Sequence, residues 1–341
     1  MSISFIQLVV VFLSLAFSGV SFPVEKKGIV KPDELKNWID YLASDEMRGR
    51  RNGSPEMVKA ANWLTEKFQE FGLKPVLNNG TFQQEYSFTS RQRDVNERNV
   101  IGMIKGNDPK LKDQYIVLSA HFDHVGVRKG TEADSIYNGA DDNAAGTCTL
   151  LGIAKTIKDA GLKPGRSIIF AAFSGEESGM RGSRFFVANS PFPVKNIYAD
   201  INFEMTGHSE FFGKKRYYMT GCKISNLDDL IGNYNEKSDW KLIDTIPIAN
   251  FLFSASDNIA FSRISTADNV SQGIPSGTFA TATTPDYLHK PGDEGKLFDY
   301  NNMAELVRYF SDLIIWLSEN KTDIQFTDPS YTRLKQATLL P

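Results

Sequence analysis

The spacing of apolar positions changes in blocks along the chain. Residues 5–20 (FIQLVVVFLSLAFSGV) form an uncharged apolar run ending in small residues. The run is short of the ~20 residues a membrane-spanning helix needs. Ala16-Phe17-Ser18 and Gly19-Val20-Ser21 place small residues where an export signal is cut, although no Lys or Arg precedes the run. We read residues 1–21 as a signal peptide, with an uncleaved anchor as the alternative. The mature chain is then exported, to a periplasmic or extracellular destination.

Beyond it, Pro32 and two acids open a helix predicted over residues 32–44. DEMRGRRNG is polar and Gly-rich, a loop. Ser54-Pro55 starts a second helix, with Met57, Ala60, Ala61, Leu64, Phe68 and Phe71 as its buried stripe and Gly72 as its stop. Strands are predicted at residues 99–104, 115–120, 167–173 and 197–203. YIVLSA and SIIFAAF do not alternate, as expected of central strands covered on both faces. Helices are expected near residues 144–160, 182–189 and 302–319. This alternation predicts an α/β fold, a three-layer αβα sandwich around a mostly parallel mixed sheet. Residues 22–325 form the main domain, 206–272 an irregular lid-like excursion, and 326–341 a C-terminal tail.

Composition narrows the classes. With 341 residues, 41% hydrophobic and 23% charged, the chain is neither mainly disordered nor collagen-like nor a polytopic membrane protein. Its formal net charge of −3 comes without a Lys/Arg block, so no nucleic-acid partner is expected. Cys148 and Cys222, the two cysteines, cannot make a disulfide scaffold or a tetra-thiolate zinc site. Cys148 reads as a small buried apolar residue, and a bridge to Cys222 is not expected.

Chemistry collects where the buried strands end. YIVLSA runs into His121-Phe122-Asp123-His124, SIIFAAF into Ser174-Gly175-Glu176-Glu177, and IYADINF into Glu204. Open α/β sheets bind ligands beyond the carboxyl ends of their strands, so these acids and imidazoles point to a metal. Each piece has a plainer reading alone. His121 and Asp123 also fit a solvated turn, Asp142 in NGADDNAAG an ordinary helix cap, and Glu176-Glu177 an exposed acidic turn. Adjacent acids can also divide the work, one binding metal while the other faces a water. His289 in DYLHKPGD adds an imidazole to a chain with 4 His.

Together these segments resemble the secreted dinuclear zinc aminopeptidases, a family that includes glutamate carboxypeptidases and glutaminyl cyclases. The resemblance runs from about Leu35 to Leu317 through LASDEMRGRRNGSPE, SAHFDHVG, DSIYNGADDNAAG, FSGEESGMRGS, INFEMTG and TPDYLHKPGDE. It implies that His121 and Glu204 bind one zinc, Glu177 and His289 a second, and Asp142 bridges both. Asp123 would orient His121, and Glu176 would be the general base acting on a metal-bound hydroxide. Many members have Asp where this chain has Glu204. Several have Tyr at the position of Leu288, so Tyr287 stands one place away. Ser256-Asp257-Asn258 replaces a common Ser-Asp-His, with Asp257 expected on the substrate side.

Two zinc ions carry four positive charges against three from Asp142, Glu177 and Glu204, which favours a bound hydroxide; water on zinc has its pKa lowered from 15.7 to ~7. Imidazole and carboxylate donors suit zinc, and also manganese or cobalt. The implied activity is removal of N-terminal residues from peptides, with no membrane partner after signal cleavage. The alternatives are a one-zinc glutaminyl cyclase and a metal-free binding module. Phe211, Phe212, Tyr217, Tyr218, Phe251, Phe253 and Phe261 are either pocket wall or core.

Overall fold

A computed structural model describes residues 29–90, 92–128, 134–264 and 272–334. The signal-peptide reading therefore lies outside the described residues. The helices are α1 (Pro32–Leu42), α2 (Pro55–Glu70), α3 (Gly146–Asp159), α4 (Arg181–Ala188), α5 (Leu227–Asn235), α6 (Ala249–Phe253), α7 (Asn258–Ser262) and α8 (Tyr300–Glu319). The strands are β1 (Gln83–Ser90), β2 (Arg93–Ile104), β3 (Tyr115–His121), β4 (Gly126–Val127), β5 (Ile136–Tyr137), β6 (Ser167–Phe173), β7 (Ile197–Phe203), β8 (Arg216–Met219), β9 (Lys241–Ile243), β10 (Gln272–Gly273), β11 (Ser276–Ala280) and β12 (Thr332–Arg333).

The main sheet runs β1-β2-β6-β3-β7-β11-β8-β9. Its centre, β6-β3-β7-β11, is parallel, and the flanking β1, β2 and β8 join antiparallel. Every residue of β6 and β7 is buried; β6 is accordingly an apolar run after Ser167, while β7 buries Asp200 and Asn202, hydrogen-bonded to Ser119 (2.8 Å) and Thr278 (2.9 Å). The alternate residues feed two cores. Ile116, Leu118, Ile168 and Phe170 pack with α1, α2, α3 and α8 on one face. Val117, Ile169 and Phe173 pack with Phe186 of α4 and Phe261 of α7 on the other. This is the expected three-layer α/β sandwich on a mostly parallel mixed sheet.

Local signals act as read. The Ser54 hydroxyl accepts from the Met57 amide at 3.3 Å and caps α2, and Gly72 at φ +74° ends it. Two regions differ from expectation. Within 206–264, β8 and β9 extend the main sheet and α5 packs against β9, so this part is sheet edge. Residues expected as a tail dock instead: Tyr331 and Leu334 are buried, and β12 pairs with β10. The Arg333 guanidinium donates to the carbonyls of Ile197 (2.8 Å) and Tyr198 (3.2 Å) at the start of β7. Both cysteines are free thiols. No helix among the described residues is long and apolar enough to cross a membrane.

Candidate metal centre

Parallel strands end at one edge of the sheet, and that edge carries the acids and imidazoles. His121 is the last residue of β3, Glu204 directly follows β7, and Glu176-Glu177 follow β6 after a two-residue turn. Asp142 comes from the loop before α3. Gly139, at φ +61°, lets that loop pass the His124 ring; a Cβ there would lie 2.4 Å from its Cγ. Asn143 ties the loop to β7, donating to the Phe203 carbonyl (2.9 Å) and accepting from the Gly146 amide (3.0 Å).

Asp142 stands between two groups of donors. Its Oδ1 is 3.3 Å from His121 Nε2, and Glu204 Oε1 is 3.8 Å from that same nitrogen. Its Oδ2 is 2.9 Å from His289 Nε2. Glu177 Oε1 lies 3.0 Å from His289 Nε2 and 3.0 Å from His124 Nδ1. Donor atoms of His124, Asp142, Glu177 and His289 all fall within 4.8 Å of one another. The structure thus brings His121, Asp142, Glu177, Glu204 and His289 together, and adds His124, which the sequence reading left without a role. The available signal was its place three residues after His121 in a chain with 4 His.

The arrangement fits a cation. Glu177 Oε1 and both ring nitrogens of His124 are buried without a hydrogen-bond partner. Glu177 Oε1 and His124 Nδ1 nevertheless face each other at 3.0 Å, which lone pairs do around a shared ion. Burial opposes ionisation of Asp142, but His121 and His289 overcome it and hold the carboxyl well below its usual range. Burial also works against Glu177, which His124 and His289 pull down. Glu176 and Glu204 go the other way, pushed up chiefly by desolvation. His289 is raised to about 10 by Asp142 and Glu177. Such opposed shifts mark acids crowded for a positive guest.

The supports are more specific than the sequence showed. Asp123 was expected to orient His121 with its carboxylate, yet His121 Nδ1 meets the Asp123 backbone carbonyl at 3.2 Å and the carboxylate only at 3.7 Å. That carboxylate instead accepts from Asn52 Nδ2 (2.7 Å) and the amides of Glu176 (3.1 Å) and Glu177 (3.2 Å), fixing the acidic turn. Asp293 accepts from the amides of Asp141 (2.7 Å) and Asp142 (3.1 Å). Arg50 is fully buried and donates to the carbonyls of Leu42, Phe122, Asn138 and Gly139 at 2.5–2.8 Å. It pins the β3 end to the Asp142 loop. The longer Glu204 side chain is held by Ser256 Oγ and, at 3.3 Å, by Asn202 Nδ2.

Other expectations shift. Asp257 is 0% exposed and accepts from Ser183 Oγ, so it faces the interior and not a substrate. The Tyr287 hydroxyl is engaged by His208 Nε2 (2.5 Å) and Asp141 (3.2 Å). Of the aromatic candidates, Tyr217, Tyr218, Phe253 and Phe261 are buried core, while Phe211 and Phe251 are exposed. A cavity of about 1170 Å³ opens beside His124 and Glu177, lined also by Asn52, Arg51, Arg93 and Arg128.

Comparison with known proteins places the chain in a family and a fold. The chain is 30% identical to the alkaline phosphatase isozyme conversion protein of Escherichia coli over 201 residues, covering 57% of this chain and 56% of that one. It spans about half the length of the curated relatives it first matches. The fold matches a zinc aminopeptidase structure from Bacillus subtilis with a TM-score of 0.63 at 15% identity, covering 86% of this chain and 97% of that one. It also matches a glutaminyl cyclase structure from Porphyromonas gingivalis with a TM-score of 0.61 at 18% identity, covering 84% and 99%. Residues 99–314 match peptidase family M28, and the chain belongs to that family.

Proposed function

We propose that the chain is an exported zinc-dependent exopeptidase that removes residues from peptide N-termini. The observation that carries this is Asp142, with one oxygen 3.3 Å from His121 and the other 2.9 Å from His289. One carboxylate so shared is suited to holding two cations side by side, His121 and Glu204 completing one position and Glu177 and His289 the other. Zinc bound there supplies Lewis acidity for the scissile carbonyl and for an attacking water. The chain's own residues do the rest. Asp123 holds the Glu176 amide at 3.1 Å, so the Glu176 carboxyl is aimed by its backbone. In this reading Glu176 takes a proton from water and passes it to the leaving amine.

We assign the cavity that reaches the centre at Glu177 to the part of the peptide beyond the bond to be cut. Arg51, Arg93 and Arg128 line that space, and Arg128 is steadied over the Tyr137 ring at 5.3 Å. Their charge suits a peptide carrying carboxylates. The test is digestion of a mixed peptide set by the zinc-loaded protein, including a peptide that starts with glutamine. Release of N-terminal amino acids supports the proposal. Ammonia from the glutamine peptide with no amino acid released would establish a cyclase instead.

A further inference from the structure

Resting on the two-metal reading, we propose that the two positions around Asp142 are unequal. His124 gives one of them a fourth protein donor and closes it; the other, held by His121, Asp142 and Glu204, stays open.

The His124 ring is buried, and neither of its nitrogens has a hydrogen-bond partner. An imidazole packed only as core normally satisfies at least one nitrogen. Here Nδ1 is aimed at two carboxylates, 3.0 Å from Glu177 Oε1 and 3.6 Å from Asp142 Oδ2. The ring is held in that pose. Its backbone amide donates to the Arg50 carbonyl at 3.1 Å, and its face meets His289 edge-on with centroids 5.4 Å apart. Gly139 leaves no room for the ring to move toward the loop. Four donors within 4.8 Å of one another suit a tetrahedral ion bonded at 2.0–2.2 Å.

On the other side the donors are His121, Asp142 and Glu204, and the Glu204 oxygen that faces His121, Oε1, also accepts from Ser256 and Asn202. Four protein donors are the mark of a structural zinc, and three plus a free position the mark of a catalytic one. The closed cradle therefore fills first and tightly, and the open position fills second and exchanges.

X-ray absorption on metal-free protein given one equivalent of Zn²⁺, then two, reads this directly by counting imidazoles per ion. We expect two imidazoles at one equivalent, falling to one in His124→Asn and His124→Gln, with first-ion affinity lowered by about 10–100-fold. The second variant guards against a folding defect in the first. Two equivalents bound with a single imidazole on each would overturn the closed cradle and leave the metal pair standing. One equivalent bound with two imidazoles, and no second ion, would keep the cradle and refute the pair. A chain binding no zinc would overturn both.

Discussion

The two halves of the centre reach Asp142 by different routes. His121 and Glu204 sit at the ends of buried parallel strands, so the sheet fixes their backbone and the supports they have, the Asp123 carbonyl, Ser256 and Asn202, act on side chains. His124, Glu177 and His289 sit on loops, and His289 adopts φ +53° with its side chain 44% exposed. In the loop half the backbone itself is pinned: Asp123 under the acidic turn, Asp293 under Asp141 and Asp142, Arg50 between the β3 end and the loop. The difference teaches that strand ends preorganise donors, whereas loop donors need buried polar pins.

The sharpest way to separate the halves is Glu176→Gln. It should cut turnover by about 10²–10⁴-fold while zinc content, measured by elemental analysis, stays at the wild-type level. Equal loss of metal and activity would show that Glu176 supports the donors and is not the base. The next effect is on the pins. Arg50→Met leaves four buried carbonyls without their donor and should cost about 3–5 kcal/mol in urea unfolding. A cost below 1 kcal/mol, on the scale of an exposed pair, would mean the loop half holds itself.

Removal of both cations should loosen the loop half more than the sheet. Without cations, Asp142, Glu177 and Glu204 repel, and limited proteolysis is expected to open loops 138–143 and 286–293 before the sheet. Cleavage within β3 or β6 at the same rate would erase the distinction between halves. Glu97 gives a smaller, pH-dependent test. Burial raises its carboxyl to about 7, against the pull of the Gly53 amide. A carboxyl raised in the folded state costs stability as pH climbs from its unfolded value, ~4.3, through 7. Glu97→Gln should therefore raise the melting temperature at pH 8, by on the order of 1–3 kcal/mol of stability, and change little at pH 4. The smallest expected effect concerns the cavity. Arg93→Glu should lower kcat/KM for acidic relative to neutral peptides by about 2–5-fold, the scale of an exposed charge contact.

Much of the frame was legible because burial writes itself into composition. β3 and β6 are mostly apolar runs without alternation, and α2 and α8 carry clean stripes. β11 was not legible. SGTFA is short and built of small residues, and Gly277 is needed because a Cβ there would come within 2.7 Å of the Thr220 carbonyl. Three candidate donors, His121, Glu177 and Glu204, were legible as groups after strands, and the resemblance of their order added Asp142 and His289. Arg50 was hidden because arginine is normally read as surface, and only its carbonyl partners explain its burial. His124 was hidden because one residue shifts its role from turn to donor, and only coordinates show which way the ring faces. Asp257 lies in the right stretch of chain, but its burial depends on α7 packing against β11.

The buried guanidinium also bears on folding order. Three of its acceptors lie 72, 88 and 89 residues further along the chain. Arg50 can therefore be desolvated only once β3 and the segment before α3 have come together, a contact of high loop-closure cost. Assembly of the donor constellation is thus a late event. A chain still emerging from the ribosome therefore holds no assembled centre until residues well beyond Arg50 have been made.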